Sequence, residues 1–389
     1  MGSSMHLELF RELPADGAFR RQWNAIVASM AKPEVFYTWE WAAAVVRSHP
    51  DARPLFFAAF REQALVGVVA LEQSDSVTFL TAPTADYCDF VSSEVDRAAF
   101  VELVFRELAR QKLGSVRLAN IPNDSETAQV MRAFSRNTGY AQFSRPAYSC
   151  AQIVLGSAEQ RAEAAKVAHN SPKRKARLSR LGEITIEHHT DWRDFSGEFP
   201  NFVKAHVVRF ASQGKTSSLV LPGRRRFLEE LGALLSEQGS LRCSVLRLAG
   251  KPVAWHFGMA FYGKWFWYQP AFDLECDQAS PGTYLLREVI QEAARNEEFR
   301  GVDLGLGDES YKSQYANSEQ RTLHFTLEIS KIRMARQVSR YYLAQALRQS
   351  PKLERLARAA VSRISATREA ITKRQSSRST RQLSNECGD

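Results

Sequence analysis

Ser280-Pro281-Gly282-Thr283, followed by an apolar stripe, is the segment of this chain best placed to hold an anion. Ser280 is a strong helix N-cap, and Pro281 suits the first helical position, where its missing N–H costs nothing. Gly282 and Thr283 then present backbone N–H groups at the positive end of the helix dipole, and without a Cβ on Gly282 a phosphate can approach closely. Leu285, Leu286, Val289, Ile290, Ala293 and Ala294 recur at helical period, which predicts a one-faced helix over Gly282–Asn296. Two strands are predicted around it: the short aromatic run Lys264–Asp273 (KWFWYQPAFD) and Gly301–Gly307 (GVDLGLG). Tyr311 and Lys312 follow on a polar turn, an acid and a cation within reach of the second strand. His256 is a candidate base because its strand lies beside the aromatic one, although a lone strand histidine is commonly a core residue. Asp303 is a candidate base or a partner for Lys312, since a carboxylate in a central strand is costly unless partnered. Arg209, Lys215 and Thr216 lie in a polar segment able to hold a second substrate; the plainer alternative is an exposed loop.

Those strands and helices occur twice. Val66–Leu71 resembles Val253–Gly258 in place and type, and Val116–Leu118 stands to Val302–Leu304 as first copy to second, at offsets of 187 and 186 residues. A helix lies between the matched strands in both halves, Arg97–Lys112 and Gly282–Asn296. Repetition at this length means two copies of a domain. The copies differ at the helix start: the first reads Ser92-Ser93-Glu94-Val95-Asp96, whose carboxylates satisfy the dipole internally and repel a phosphate. The second copy is therefore expected to hold the anionic ligand. The expected organisation is residues 1–155, 156–330 and a basic helical tail, 331–389.

The chain has 389 residues, enough for two cores. It contains no run of 18 apolar residues, and Met1–Glu12 has no apolar leader core, so the expected location is the cytoplasm. Five scattered cysteines lack metal-ligand spacing, and the adjacent His188 and His189 point apart on a strand, so no metal is expected. Residues 331–389 carry 14 Lys/Arg against 4 Asp/Glu while the whole chain is +9, so the basicity belongs to the tail and the body is near neutral. Leu353, Leu356, Ala357, Ala360, Val361 and Ile364 make a helical stripe there, fit for peripheral contact with the inner face of a membrane or for packing on the body. A second basic run, Lys173–Arg180, follows Ser171-Pro172 and is predicted as a helix stopped by Gly182, more simply a solvated face than a nucleic-acid surface.

In order, these motifs resemble the Gcn5-related N-acetyltransferase (GNAT) superfamily, and more closely its CelD/BcsL-like, or Fem-like, bacterial acyltransferases. The resemblance is densest over Ser171–Ala316, through SPKRKARLSRLG, RFASQGKTSSL, GKPVAWHFG, YQPAFD, SPGTYLL and DESYKSQY; LTAPTADYCDF and the Trp39/Trp41 helix extend it to the first half. It implies an α/β fold of two tandem acetyltransferase-like domains, each a mixed twisted sheet flanked by helices. It also implies acetyl-CoA or another acyl-CoA as co-substrate, its diphosphate on Ser280–Thr283 and its thioester facing Tyr268 and Gln269. Ser280 stands where the family usually has a first glycine, and the usual upstream Arg or Gln is missing. By the same resemblance Tyr311 protonates the leaving thiolate and Lys312 stabilises negative charge. The implied activity is acyl transfer to an amino or hydroxyl group of a sugar nucleotide or lipid-linked saccharide in envelope or exopolysaccharide synthesis. The alternatives are a Fem-type aminoacyl-tRNA-dependent peptide ligase, against which the near-neutral body argues, and a non-catalytic accessory protein of a polysaccharide synthase complex.

Overall fold

The computed structural model describes residues 4–349 apart from Lys112, Gly139 and Asp308. The apolar stripe Leu353–Ile364 and the Ser/Arg/Gln-rich end lie outside the described residues. The first half runs β1 (Met5–Phe10), α1 (Gly17–Ser29), α2 (Trp39–Ser48), β2 (Pro54–Arg61), β3 (Ala64–Gln73), β4 (Val77–Phe79), β5 (Val91–Ser92), α3 (Glu94–Arg110), β6 (Ser115–Pro122), α4 (Glu126–Thr138) and β7 (Ala141–Val154). The second half runs α5 (Ala158–Val167), α6 (Pro172–Ser179), β8 (Ile184–His189), α7 (Trp192–Ser196), α8 (Phe199–Ser212), α9 (Pro222–Glu237), β9 (Cys243–Leu248), β10 (Lys251–Phe261), β11 (Lys264–Phe272), α10 (Pro281–Arg295), β12 (Gly301–Leu306) and β13 (Ser318–Glu328). Lys331–Gln349 form a further helix, α11, in a separate unit that begins at Ser330.

All thirteen strands join one mixed sheet flanked by helices, in the order β1-β2-β3-β4-β6-β13-β7-β12-β11-β10-β9-β8, with β5 paired to β3 outside that path. The order shows a reciprocal exchange. β7, the last strand of the first half, pairs with β12, and β13, the last strand of the second, returns to pair with β6. The two exchanged strands also pair with each other, from Ser318↔Gln152 to Glu328↔Ala141. Residues 1–329 are consequently one compact unit, and the boundary expected at residue 155 is no gap in the sheet. Exchange of this kind removes two edges that would otherwise expose unpaired backbone groups.

The strands and helices around the anion motif follow the sequence closely. β11 ends one residue before the expected Asp273, and α10 occupies Pro281–Arg295. The stripe of α10 is buried through Leu285, Leu286, Val289, Ile290, Ala293 and Ala294. It packs on Trp265, Trp267 and Val302 in the second half's core. Each fully buried leucine stabilises by about 1.5–3 kcal/mol, so this face fixes the helix on the sheet. Arg161 of α5 holds the opposite end, donating to the carbonyls of Ala293, Ala294, Asn296 and Phe299 at 3.3, 3.3, 3.1 and 2.6 Å. A cation there neutralises the negative pole of the helix. The positive pole is left for something else.

Candidate active site

The cleft begins where β11 and β12 part. They are parallel neighbours only at Lys264↔Gly301, Trp265↔Val302 and Phe266↔Asp303. Beyond these pairs Trp267–Pro270 and Leu304–Leu306 line opposite walls of a cavity of about 570 Å³. The first half supplies the loop Ala82–Asp86, α8 and α9 contribute His206, Arg209 and Arg224, and α10 contributes Gly282 and Thr283. Tyr311 and Lys312 line the same space. Parting strands leave backbone groups of both edges without ladder partners, a supply of polar contacts for an extended ligand.

The start of α10 differs from its expectation in one respect. Ser280 adopts a left-handed conformation (φ 54°, ψ 53°), and its side chain caps nothing. A hydroxyl aimed at the first-turn N–H groups would occupy the place of an anion, so the turn leaves those donors open. Ser280 and Pro281 do not line the cleft; Gly282 and Thr283 do. A Cβ at Gly282 would meet Phe272 Cδ1 at 2.9 Å, so glycine is required there by packing, and Thr283 is the exposed side chain at the mouth. Nearby, Arg177 of α6 donates to the Gln278 carbonyl at 2.9 Å. Burial first, and then the charges of Arg287 and Arg177, lower the pKa of Arg174. Cations crowded beside an uncapped helix start fit an anionic co-substrate. The basic run read as a solvated face thus has a neighbour that the sequence did not show.

Lys312 lines the same cleft and is buried. Its Nζ donates to the carbonyls of Gly305 and Leu306 at 3.2 and 2.8 Å and pairs with Glu309 Oε2 at 2.8 Å. The carbonyls are available because β12 shifts register between Asp303 and Leu306, with Gly305 at φ 73°. Gly305 has a second reason to be glycine: a Cβ would stand 2.9 Å from Asp86 Oδ2. Asp86 opens onto the cleft, with the Leu306 backbone close enough to favour its charged form slightly. Burial, reinforced by the charge of Asp303, pushes its pKa up to about 7 against the pull of Lys312. A carboxylate tuned to neutrality is fit to take up a proton and give it back.

Tyr311 is less apt than expected as an acid. Burial, then the neighbouring Glu309, pushes its hydroxyl up to about 12, so it holds its proton too firmly to give it readily to a thiolate. Asp303 is corrected as well. It does not contact Lys312 and does not line the cleft; Oδ2 accepts from Tyr87 and Gln152, both at 2.8 Å, and Oδ1 accepts from the Gly305 N–H at 2.8 Å. A carboxylate so fully bonded holds the bend of β12. His256 is the core histidine of the plainer reading. It stacks on Trp267 at 4.2 Å with Nε2 3.1 Å from the Phe266 carbonyl, and burial lowers its pKa to about 3. It lies outside the cleft.

Of the residues expected to meet a second substrate, Arg209 and Lys215 line the cleft and Thr216 does not. Tyr268 and Gln269 do line it, but the Tyr268 hydroxyl is committed to the Thr84 carbonyl and to Arg224 Nη2, and burial pushes its pKa up to about 12. The residues that the sequence reading missed are Asp86, Arg224 and His206. Asp86 lay in plain view in LTAPTADYCDF, but only the joining of the two halves carries it to Lys312.

Residues 165–313 match the family model for the acetyltransferase (GNAT) domain. The match covers less than half of the chain and supports a GNAT-type domain in the second half. Among solved structures the fold is similar to FemX, at 10% identity over 82% of this chain and 96% of that one, with a TM-score of 0.55. It is also similar to the C-terminal domain of a putative lysylphosphatidylglycerol synthetase from Agrobacterium fabrum, at 14% identity over 82% of this chain and 93% of that one, TM-score 0.52. No curated protein matches the sequence. The GNAT domain makes the chain an acyltransferase. Its wide mixed sheet flanked by helices agrees with the fold class read from the sequence.

Proposed function

We propose that the protein transfers an acyl group, acetyl in the simplest case, from an acyl-CoA to an amino or hydroxyl group of a sugar nucleotide or lipid-linked saccharide of the cell envelope or an exopolysaccharide. The observation that carries this reading is a single cleft lined both by Gly282 and Thr283 of the open helix start and by Lys312 and Asp86. Gly282 and Thr283 hold the donor's diphosphate, and the cations Arg174, Arg177 and Arg287 draw it in. The acyl-CoA supplies an activated thioester to the gap between β11 and β12, where free backbone N–H groups polarise its carbonyl. Asp86, ionised above about pH 7, takes the proton of the attacking amine or hydroxyl and passes it to the departing thiolate. Lys312 keeps the bend of β12 in place through its two carbonyl contacts and offers positive charge to the oxygen that becomes negative. Arg209, Lys215 and Arg224 form the acceptor side, and their charge suits an acceptor bearing phosphate.

The test is release of thiol from acetyl-CoA with a panel of nucleotide sugars and lipid-linked saccharides. Acceptor-dependent release that disappears in Asp86→Asn supports the reading. Thiol release by none of them, from a protein that binds no acyl-CoA in a calorimeter, ends it.

A further inference from the structure

Between Glu198 and Glu229 the chain has no acidic residue and six cations: Lys204, Arg209, Lys215, Arg224, Arg225 and Arg226. This stretch folds into one corner made of the end of α8, the loop 213–221 and the first turn of α9. His206 Nδ1 and Ser217 Oγ, 2.9 Å apart, join helix to loop, and Arg225 Nη2 donates to the Val220 carbonyl at 3.1 Å. Three arginines therefore stand at the N-terminus of a helix with no acid in its first turn and no side-chain cap. The helix dipole is positive there, so the protein alone stacks like charge on like charge, and an external anion would relieve it.

On this corner Val208, Val220 and Leu221 face solvent at 46%, 42% and 60% exposure. Single exposed aliphatics are ordinary. These three stand among Lys204, Lys215 and Arg226, which are exposed too. Among the described residues Lys204 and Lys215 have no acidic partner within ion-pair distance, and Arg226 reaches Glu230 only at 4.0 Å. Aliphatic side chains ringed by cations suit the boundary layer of a bilayer, where the former enter between headgroups and the latter meet anionic lipid. Single-stranded nucleic acid would instead call for exposed rings on which bases stack. The one aromatic side chain between Lys204 and Arg226, Phe210, is half-buried and stacked on His206 at 4.4 Å.

We infer that the α8–α9 corner is a docking surface for an anionic lipid bilayer, set so that the cleft, whose rim includes Arg209 and Lys215, lies at the level of the headgroups. It is a property of the folded body and separate from the basic tail. It also stands apart from the choice of donor and acceptor, because binding is measured without turnover.

The experiment is co-sedimentation of the full chain with vesicles of phosphatidylcholine containing about one third phosphatidylglycerol, against pure phosphatidylcholine. The protein is expected to bind the anionic vesicles and to be released by salt. Lys204→Gln with Arg226→Gln should weaken partitioning by about fivefold per cation removed. Val220→Ser with Leu221→Ser should weaken it at any salt concentration. Both variants change exposed side chains, so their melting temperatures should match the wild type, which separates lost docking from lost folding. Undiminished partitioning in both variants would overturn the inference. So would tight, salt-sensitive binding of polyuridylate by a protein that ignores the vesicles.

Discussion

The helices α3 and α10 occupy the same place in the two halves, and their first turns show why only one half keeps an open site. At α3, Ser93 caps the Asp96 N–H, and Asp96 answers with hydrogen bonds from Ser93 Oγ at 2.9 Å and Arg61 Nη2 at 2.6 Å. The pole there is already neutralised by the chain's own acids, Glu94 and Asp96. At α10 the residue in the place of Asp96 is Thr283, exposed and facing the cleft; Ser280 caps nothing, and no acid stands in the first turn. The two starts differ in the backbone of the cap, extended at Ser93 and left-handed at Ser280, and in who neutralises the pole. The first half is not idle, since it lends Asp86 to the other's cleft and β7 to the other's sheet.

If the first half truly supplies the base, Asp86→Asn should have the largest effect, lowering kcat by about 10²–10⁴-fold in a thiol-release assay. In the wild type kcat/KM should rise with pH through about 7, as Asp86 loses its proton. Stability should move the other way. The folded carboxyl keeps its proton where the unfolded one has lost it, so the wild type loses stability as pH rises from the ordinary carboxylate range to about 7. Asp86→Asn should therefore raise the melting temperature at about pH 8 and leave it nearly unchanged at about pH 2.5, below both pKa values. A variant with full activity would cut the first half out of the chemistry.

Emptying the matched start is a smaller change. Asp96→Thr should cost about 1–2 kcal/mol in urea unfolding, because the capping Ser93 hydroxyl and Arg61 lose the carboxylate they donate to. It should confer no second donor site, since calorimetry ought still to give one acyl-CoA per chain. The smallest effect is expected from His256→Gln: some loss of stability from the Trp267 stack, with kcat changed less than about threefold and the pH profile unmoved, because His256 is already neutral down to about pH 3.

Much of this was legible in the residues. The strand from Lys264, the helix from Pro281 and the strand from Gly301 come within a residue or two of their expected ends, because each carries its own punctuation and its own periodicity. The repeat was legible through two offsets that agree. The left-handed turn at Ser280 was not, since serine is ordinarily a cap and only the packed loop forces it otherwise. His256 and Asp303 were misplaced because a strand pattern says which face a side chain takes but not what fills that face. Asp86 and Arg224 depend on contacts between the halves, and sequence separation hides those. The strand exchange of β7 and β13 hides in the same way, as each reads as an ordinary last strand.

The central claim is that the α10 start is open to a diphosphate because neither a capping hydroxyl at Ser280 nor an acid at its third residue fills it. The measurement is acetyl-CoA affinity by calorimetry for the wild type and for Thr283→Asp, which gives the second half the first half's residue. A carboxylate at that position favours the helix dipole, so the fold should be kept or slightly stabilised, while donor affinity should fall by about tenfold or more. Equal affinity in the two proteins would show that the diphosphate is held elsewhere.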